Sequence, residues 1–218
     1  MMISRGIKSA IFLCAFGAVS VYGGSRNQTT EFYFTPQYID SNVLHFGDVA
    51  TADIDDSLSF GFGGGYNFNP HFNLGGYFSY ADADYNLHYK NENGGNEVSR
   101  HRLYTSSINL IGTYNLLEGD FTPFVSGHVG YTYTNTGISN GEEYWDCWPW
   151  GPCYPYSGSY TDNSLNYGAS IGVRYDIQEY SHYDWFVKAA VVRNRIDYDT
   201  TSNADFTIYQ FSIGVVYN

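Results

Sequence analysis

Alternation between greasy and small or polar residues dominates the chain. From Ser57 to Phe68 the even positions carry Leu58, Phe60, Phe62, Tyr66 and Phe68, and the odd ones carry Ser57, Ser59, Gly61, Gly63, Gly65 and Asn67. After Asn69-Pro70-His71 the pattern resumes, with Phe72, Leu74, Gly76, Phe78 and Tyr80 set against Asn73, Gly75, Tyr77 and Ser79. A period of two puts one set on each face of a strand, and the Asn-Pro turn joins the two runs as a hairpin. A soluble sandwich would turn the greasy face inward, a membrane barrel outward.

Six further stretches alternate in the same way: Thr30 to Tyr38, Leu103 to Leu116, Phe121 to Tyr133, Leu165 to Ile177, Tyr183 to Tyr198 and Phe206 to Tyr217. Ile111 and Phe124 are apolar residues on otherwise polar faces. Near Val192 the phase is expected to slip through a bulge, because Arg193 and Arg195 would otherwise join the greasy face. The connections alternate. Polar stretches at Asp40 to Asp56, Asp84 to Arg102, Thr134 to Asn163 and after Tyr198 are expected as loops at one end. Short turns after Phe68, Leu116 and Ile177 lie at the other.

This asymmetry predicts an all-β fold over residues 30–218: an eight-stranded antiparallel up-and-down transmembrane β-barrel with four long extracellular loops and three short periplasmic turns. Aromatic residues on the greasy faces cluster toward both strand ends, among them Phe68, Tyr114, Tyr175 and Trp185 at the short-turn end and Tyr38, Tyr80, Tyr131 and Tyr167 at the other. Two such belts around an aliphatic band are what the two bilayer interfaces select. A soluble lipocalin-like barrel is the competing reading.

The first two dozen residues belong to a different pattern. Arg5 and Lys8 precede an apolar run from Ala10 to Tyr22 and small residues at Ala18, Ser20, Gly23 and Gly24. That is the layout of a secretory signal, expected over residues 1–23 with cleavage between 20 and 24, followed by a short linker at 24–29. Removing it takes away two basic residues and no acidic ones, so the net charge moves from −12 to about −14. So acidic a chain makes nucleic acid an unsuitable partner. Two of the three cysteines, Cys147 and Cys153, then remain, which suits one disulfide in an oxidising compartment.

The chain resembles the eight-stranded outer-membrane barrels of the OmpA, OmpW and opacity-protein type. The resemblance rests on Gly63-Gly64-Gly65-Tyr66-Asn67-Phe68-Asn69, on Thr122-Pro123-Phe124-Val125, and on the loop Tyr144-Trp145-Asp146-Cys147-Trp148-Pro149-Trp150-Gly151-Pro152-Cys153. Ser212-x-Gly214-x-x-Tyr217 is similar to the family's assembly signal, although Asn218 stands where a terminal aromatic is expected. The resemblance implies residence in the bacterial outer membrane, contact with its lipid and lipopolysaccharide, and handling by the barrel-assembly machinery. It implies no cofactor.

Candidate chemistry is sparse. Glu31, Arg174, Asp176 and Lys188 fall on inward faces in the periplasmic half and are expected to pair there, because an eight-stranded lumen is filled by its own side chains and unpaired buried ions are costly. A structural plug and a narrow polar channel for small or hydrophobic solutes both fit this set. Ser126 and His128 share the inward face but lack a third, orienting group, so a lipid A hydrolase is an outlying reading and no catalytic residue is assigned. Asp53, Asp55, Asp56, Asp82 and Asp84 at the loop end are expected as solvated loop charge, with Ca²⁺ or Mg²⁺ shared with lipopolysaccharide phosphates as the alternative; their spacing matches no calcium motif, and no metal site is assigned. Arg193 and Arg195 are candidates for lipid phosphate contacts or ion pairs. Tyr144, Trp145, Trp148, Trp150, Tyr154 and Tyr156 surround the two cysteines, and a disulfide would rigidify them either as contacts for a host or other cell-surface ligand or as packing over the barrel mouth. The expected role is a non-enzymatic membrane scaffold and surface-contact protein.

Overall fold

The computed structural model describes residues 26–46, 50–90, 95–147, 153–176, 183–198 and 202–217. Its elements are β1 (Thr30–Ile39), β2 (Asn42–Phe46), β3 (Ala50–Ile54), β4 (Ser57–Asn67), β5 (Phe72–Lys90), β6 (Asn96–Asn115), β7 (Phe121–Cys147), β8 (Cys153–Asp176), β9 (Tyr183–Tyr198) and β10 (Ser202–Tyr217). Antiparallel pairing runs β1-β4-β5-β6-β7-β8-β9-β10 and returns from β10 to β1, where Phe34 faces Val215 and Tyr38 faces Phe211. Eight strands therefore close on themselves. The β2–β3 hairpin is an addition, paired to β5 beyond the ring.

Burial is inverted relative to a soluble domain. Leu58 is 80% exposed and Ile108 71%, whereas Thr35 and Thr122 are fully buried. In water each large exposed side chain would forgo about 1.5–3 kcal/mol of burial. The outer face is thus built for an apolar medium, and the closed ring pairs strand with strand all the way round. Aromatic residues pair across this face, as Phe62 does with Phe78 at 5.1 Å between ring centres and Phe60 with Tyr80 at 5.7 Å.

The inward glycines of β4 are small for a packing reason. A Cβ at Gly61 would strike the Tyr77 phenol. One at Gly63 would strike the Tyr33 ring and the Gly76 carbonyl, and one at Gly65 the Asn73 amide. These three side chains fill the lumen where β4 leaves room.

Two expectations are corrected. The polar stretches are mostly strand, not loop: β5 and β6 pair out to Lys90 and Asn96, and β7 and β8 pair out to Cys147 and Cys153. Hydrophobic alternation fades beyond the lipid because both faces there meet water, yet the backbone ladder continues. The long ribbon absorbs two register shifts between Asn135 and Glu143, at which Gly137 and Gly141 take positive φ. Nor does β9 slip near Val192. Its register runs unbroken from Tyr183 to Tyr198, and Arg193 is exposed on the outer face beside Tyr167. At the level of the outer aromatic belt a guanidinium reaches headgroups, so no bulge is needed to hide it. The side chain of Arg195 lies outside the described residues.

Candidate functional site: the lumen and its two ends

Three inward strand positions meet at the periplasmic end. Arg174 on β8 donates from Nη1 to Glu31 Oε1 on β1 at 2.7 Å, and from Nε to Asp184 Oδ2 on β9 at 2.8 Å, with Nη2 on the same oxygen. All three are nearly fully buried. Asn73 donates to the other Glu31 oxygen at 3.4 Å and to Asn67 at 2.9 Å. Below them Arg26, ahead of β1, inserts into the barrel mouth and donates to the Gly119 carbonyl at 2.9 Å and to Thr122 Oγ1 at 2.7 Å. Its Nε stands 4.0 Å from Asp176. Among the described residues two arginines thus face three carboxylates, an excess of one negative charge. Bidentate guanidinium geometry suits this shared role.

The structure brings Glu31 and Arg174 together and sets Asp176 against Arg26, but it does not bring Lys188 to either acid. Lys188 stands one layer further out, its Nζ 5.1 Å from the Tyr77 ring centre and 5.8 Å from that of Phe186. The expected four-residue network is corrected accordingly: the acid beside Arg174 is Asp184, whose phase on β9 matches that of Lys188 and was readable from sequence. Arg26 precedes the first strand, so no periodicity could mark it.

Two cavities lie along the lumen among the described residues. An inner cavity of about 70 Å³ lies between the arginine cluster and Lys188. An outer one of about 60 Å³ lies beyond. Ile111, Ser126 and Lys188 line both. Phe124, Phe186 and Val216 pack with Tyr33 beside the inner cavity, which accounts for the apolar residue that alternation placed on the polar face of β7. Further out the walls tie to one another through Ser107–Thr132 at 2.8 Å, Asn166 to Thr132 at 2.8 Å and Ser126–Ser170 at 2.5 Å. Ser126 thus bonds Ser170 and not His128.

At the extracellular mouth the β2–β3 hairpin forms a small apolar core. Leu44, Ala52 and Tyr85 are buried, with Ile54, Leu87, Leu103, Ile138 and Ile208 against them. Asn42 donates to the Thr207 carbonyl at 2.5 Å and Tyr85 to that of Thr136 at 2.8 Å. Most loop-end acids are paired: Asp53 with His88 at 3.1 Å, Asp82 with Arg102 at 2.6 Å and Asp84 with Arg100 at 2.7 Å, while Asp56 accepts from Tyr38 at 2.5 Å. The bond to Asp82, and then its charge, hold the exposed Arg102 guanidinium above its ordinary pKa. Among the described residues no three His, Cys, Asp or Glu side chains converge as a metal site. In the ribbon, Cys147 is directly opposite Cys153, Trp145 opposite Pro155 and Tyr144 opposite Tyr156. The side chains of these residues and of Tyr154 lie outside the described residues, as do Trp148 and Trp150 entirely.

A closed antiparallel ring with an apolar exterior, a polar interior and long extensions at one end defines a transmembrane β-barrel of the outer-membrane class. The chain belongs to the outer membrane protein beta-barrel domain family, which it matches over residues 11–218. No curated protein matches it. Among solved structures it is similar to Neisserial surface protein A, at 14% identity and a TM-score of 0.48 over 85% of this chain and 96% of that one. It is also similar to Ail, the attachment invasion locus protein of Yersinia pestis, at 12% and 0.48 over 86% and 97%. OprG from Pseudomonas aeruginosa matches at 12% and 0.46 over 88% and 96%.

Proposed function

We propose that this outer-membrane barrel is a non-enzymatic scaffold with a side-chain-filled lumen that displays its β7–β8 ribbon as a surface-contact element. The observation that carries the reading is the division of labour along the barrel axis. Among the described residues the lumen cavities are small, a buried ion cluster stands at the inner end and an apolar hairpin core at the outer end, which supports a filled lumen. Beyond that mouth β7 and β8 continue as a paired ribbon. A long strand pair is a stiff arm, and aromatic residues on a stiff arm lose little entropy on binding.

In this reading the signal at residues 1–23 is cleaved between 20 and 24, the barrel-assembly machinery inserts the mature chain, and lipid with lipopolysaccharide surrounds the outer face. The ribbon tip, carrying Trp145, Trp148 and Trp150 around a Cys147–Cys153 disulfide, meets a ligand on a host or other cell surface. Cross-strand partners in an antiparallel pair have Cα atoms about 4.5–5.5 Å apart, within the range a disulfide spans.

Display is tested by thiol labelling of intact cells in a Cys147→Ser/Cys153→Ser background. A membrane-impermeant maleimide should label Gly95→Cys at the β5–β6 tip without permeabilisation, and Leu117→Cys in the β6–β7 turn only after it. The reverse pattern would overturn the orientation and with it the contact role.

A further inference from the structure

We propose that the outer lumen cavity is a binding site for a small inorganic monoanion of the halide class, on the extracellular side of the arginine–carboxylate cluster. The site centres on Lys188. Tyr77 and Phe186 offer its ammonium their ring faces, but rings carry no net charge. Among the described residues no carboxylate lies within ion-pairing distance of it, because Glu31 and Asp184 are engaged by Arg174.

The wall of the cavity is selective in charge. Among the described residues it contains Lys188 and uncharged side chains, His128 among them, with no Asp or Glu, in a chain that has 22 acidic residues against 10 basic ones. A low-dielectric tube magnifies such a local imbalance. The wall also supplies donors. Ser126 and Ser170 bond one another at 2.5 Å, so one hydroxyl proton is used and the other is free to turn into the cavity. Gly168 and Gly172 on either side of Ser170 leave the space that the His128 ring and the Lys188 stem occupy. An anion between Lys188 and these hydroxyls supplies the acceptor that the ammonium lacks.

Size and charge set the class. A cavity of about 60 Å³ holds a halide with a few waters, and a single lysine balances one charge, so a polyanion is disfavoured. Below Lys188 the arginine–carboxylate cluster carries an excess negative charge that repels an anion moving inward. The site therefore binds without conducting.

The test is ³⁵Cl⁻ line broadening by the folded protein in zwitterionic detergent. A saturable excess broadening, displaced by bromide, is expected. Lys188→Met, checked for heat-modifiable gel migration, should weaken it about tenfold or more, because a charge-assisted hydrogen bond is lost. Should that variant not fold, Ser126→Ala/Ser170→Ala keeps the lysine and should still weaken binding severalfold. Absence of saturable broadening in the wild type, undiminished broadening in folded Lys188→Met, or unchanged affinity in the serine variant would each overturn the assignment.

Discussion

Arg174 and Glu31 stand 143 positions apart in the chain, and Nη1 of the first donates to Oε1 of the second across 2.7 Å at the inner end of the lumen. The bond joins β8 to β1 across the barrel interior, and its partner bond to Asp184 ties in β9. One buried guanidinium thus holds three strands of the ring. Arg174→Met leaves two buried carboxylates without it, and breaking such a pair costs about 3–5 kcal/mol. The urea midpoint of the folded barrel should fall accordingly. Adding Glu31→Gln and Asp184→Asn should recover much of the loss, since the desolvated charges go as well. A single variant as stable as the wild type would show that the cluster is not structural.

Two neighbouring glycines should behave oppositely. At Gly63 a side chain meets a backbone carbonyl and the Tyr33 ring, whereas at Gly76 nothing lies within 4 Å and the position faces lipid. Gly63→Val should destabilise the barrel by about 1–3 kcal/mol or more through overpacking. Gly76→Val should be neutral or slightly stabilising in the same denaturation assay. Equal effects would mean that the facing of β4 and β5 is wrong.

The hairpin over the outer mouth should open separately from the barrel. Leu44→Ala removes the centre of its small core, a change that costs about 2–5 kcal/mol in a packed site. Limited proteolysis should then cut between residues 40 and 56, while heat-modifiable gel migration stays as in the wild type. Loss of both together would contradict an independent lid.

Peptide mapping without reduction should recover the 147–153 pair as one disulfide-linked species, since the β7–β8 register sets the two residues opposite one another. Two free thiols in protein taken from the outer membrane would defeat that assignment.

The barrel wall was legible because lipid and lumen impose opposite demands on successive residues, and Leu58, Phe60 and Phe62 against Ser59, Gly61 and Gly63 state both at once. The extracellular half was not. Beyond the bilayer no solvent enforces alternation, so residues 82–90 and 134–147 look like loop although they ladder as strand. In the lumen, facing was readable and partnership was not. Glu31, Arg174 and Lys188 do point inward, but which acid each cation meets depends on the stagger of strands around the ring, and that stagger leaves no trace in any one strand's pattern. An outward arginine does not require a bulge in β9, because Arg193 lies beside Tyr167 at the aromatic end of the strand, where snorkelling makes it cheap.

The central claim is that this lumen is filled rather than open, and planar-bilayer recording tests it most directly. Folded wild-type protein is predicted to give no steady conductance step, because the ion cluster and the Tyr77–Lys188–Phe186 layer project into the lumen and the cavities beside them are small. A stable ohmic step in the wild type, with an ion selectivity that changes in Lys188→Met, would contradict it and make that layer a selectivity ring instead.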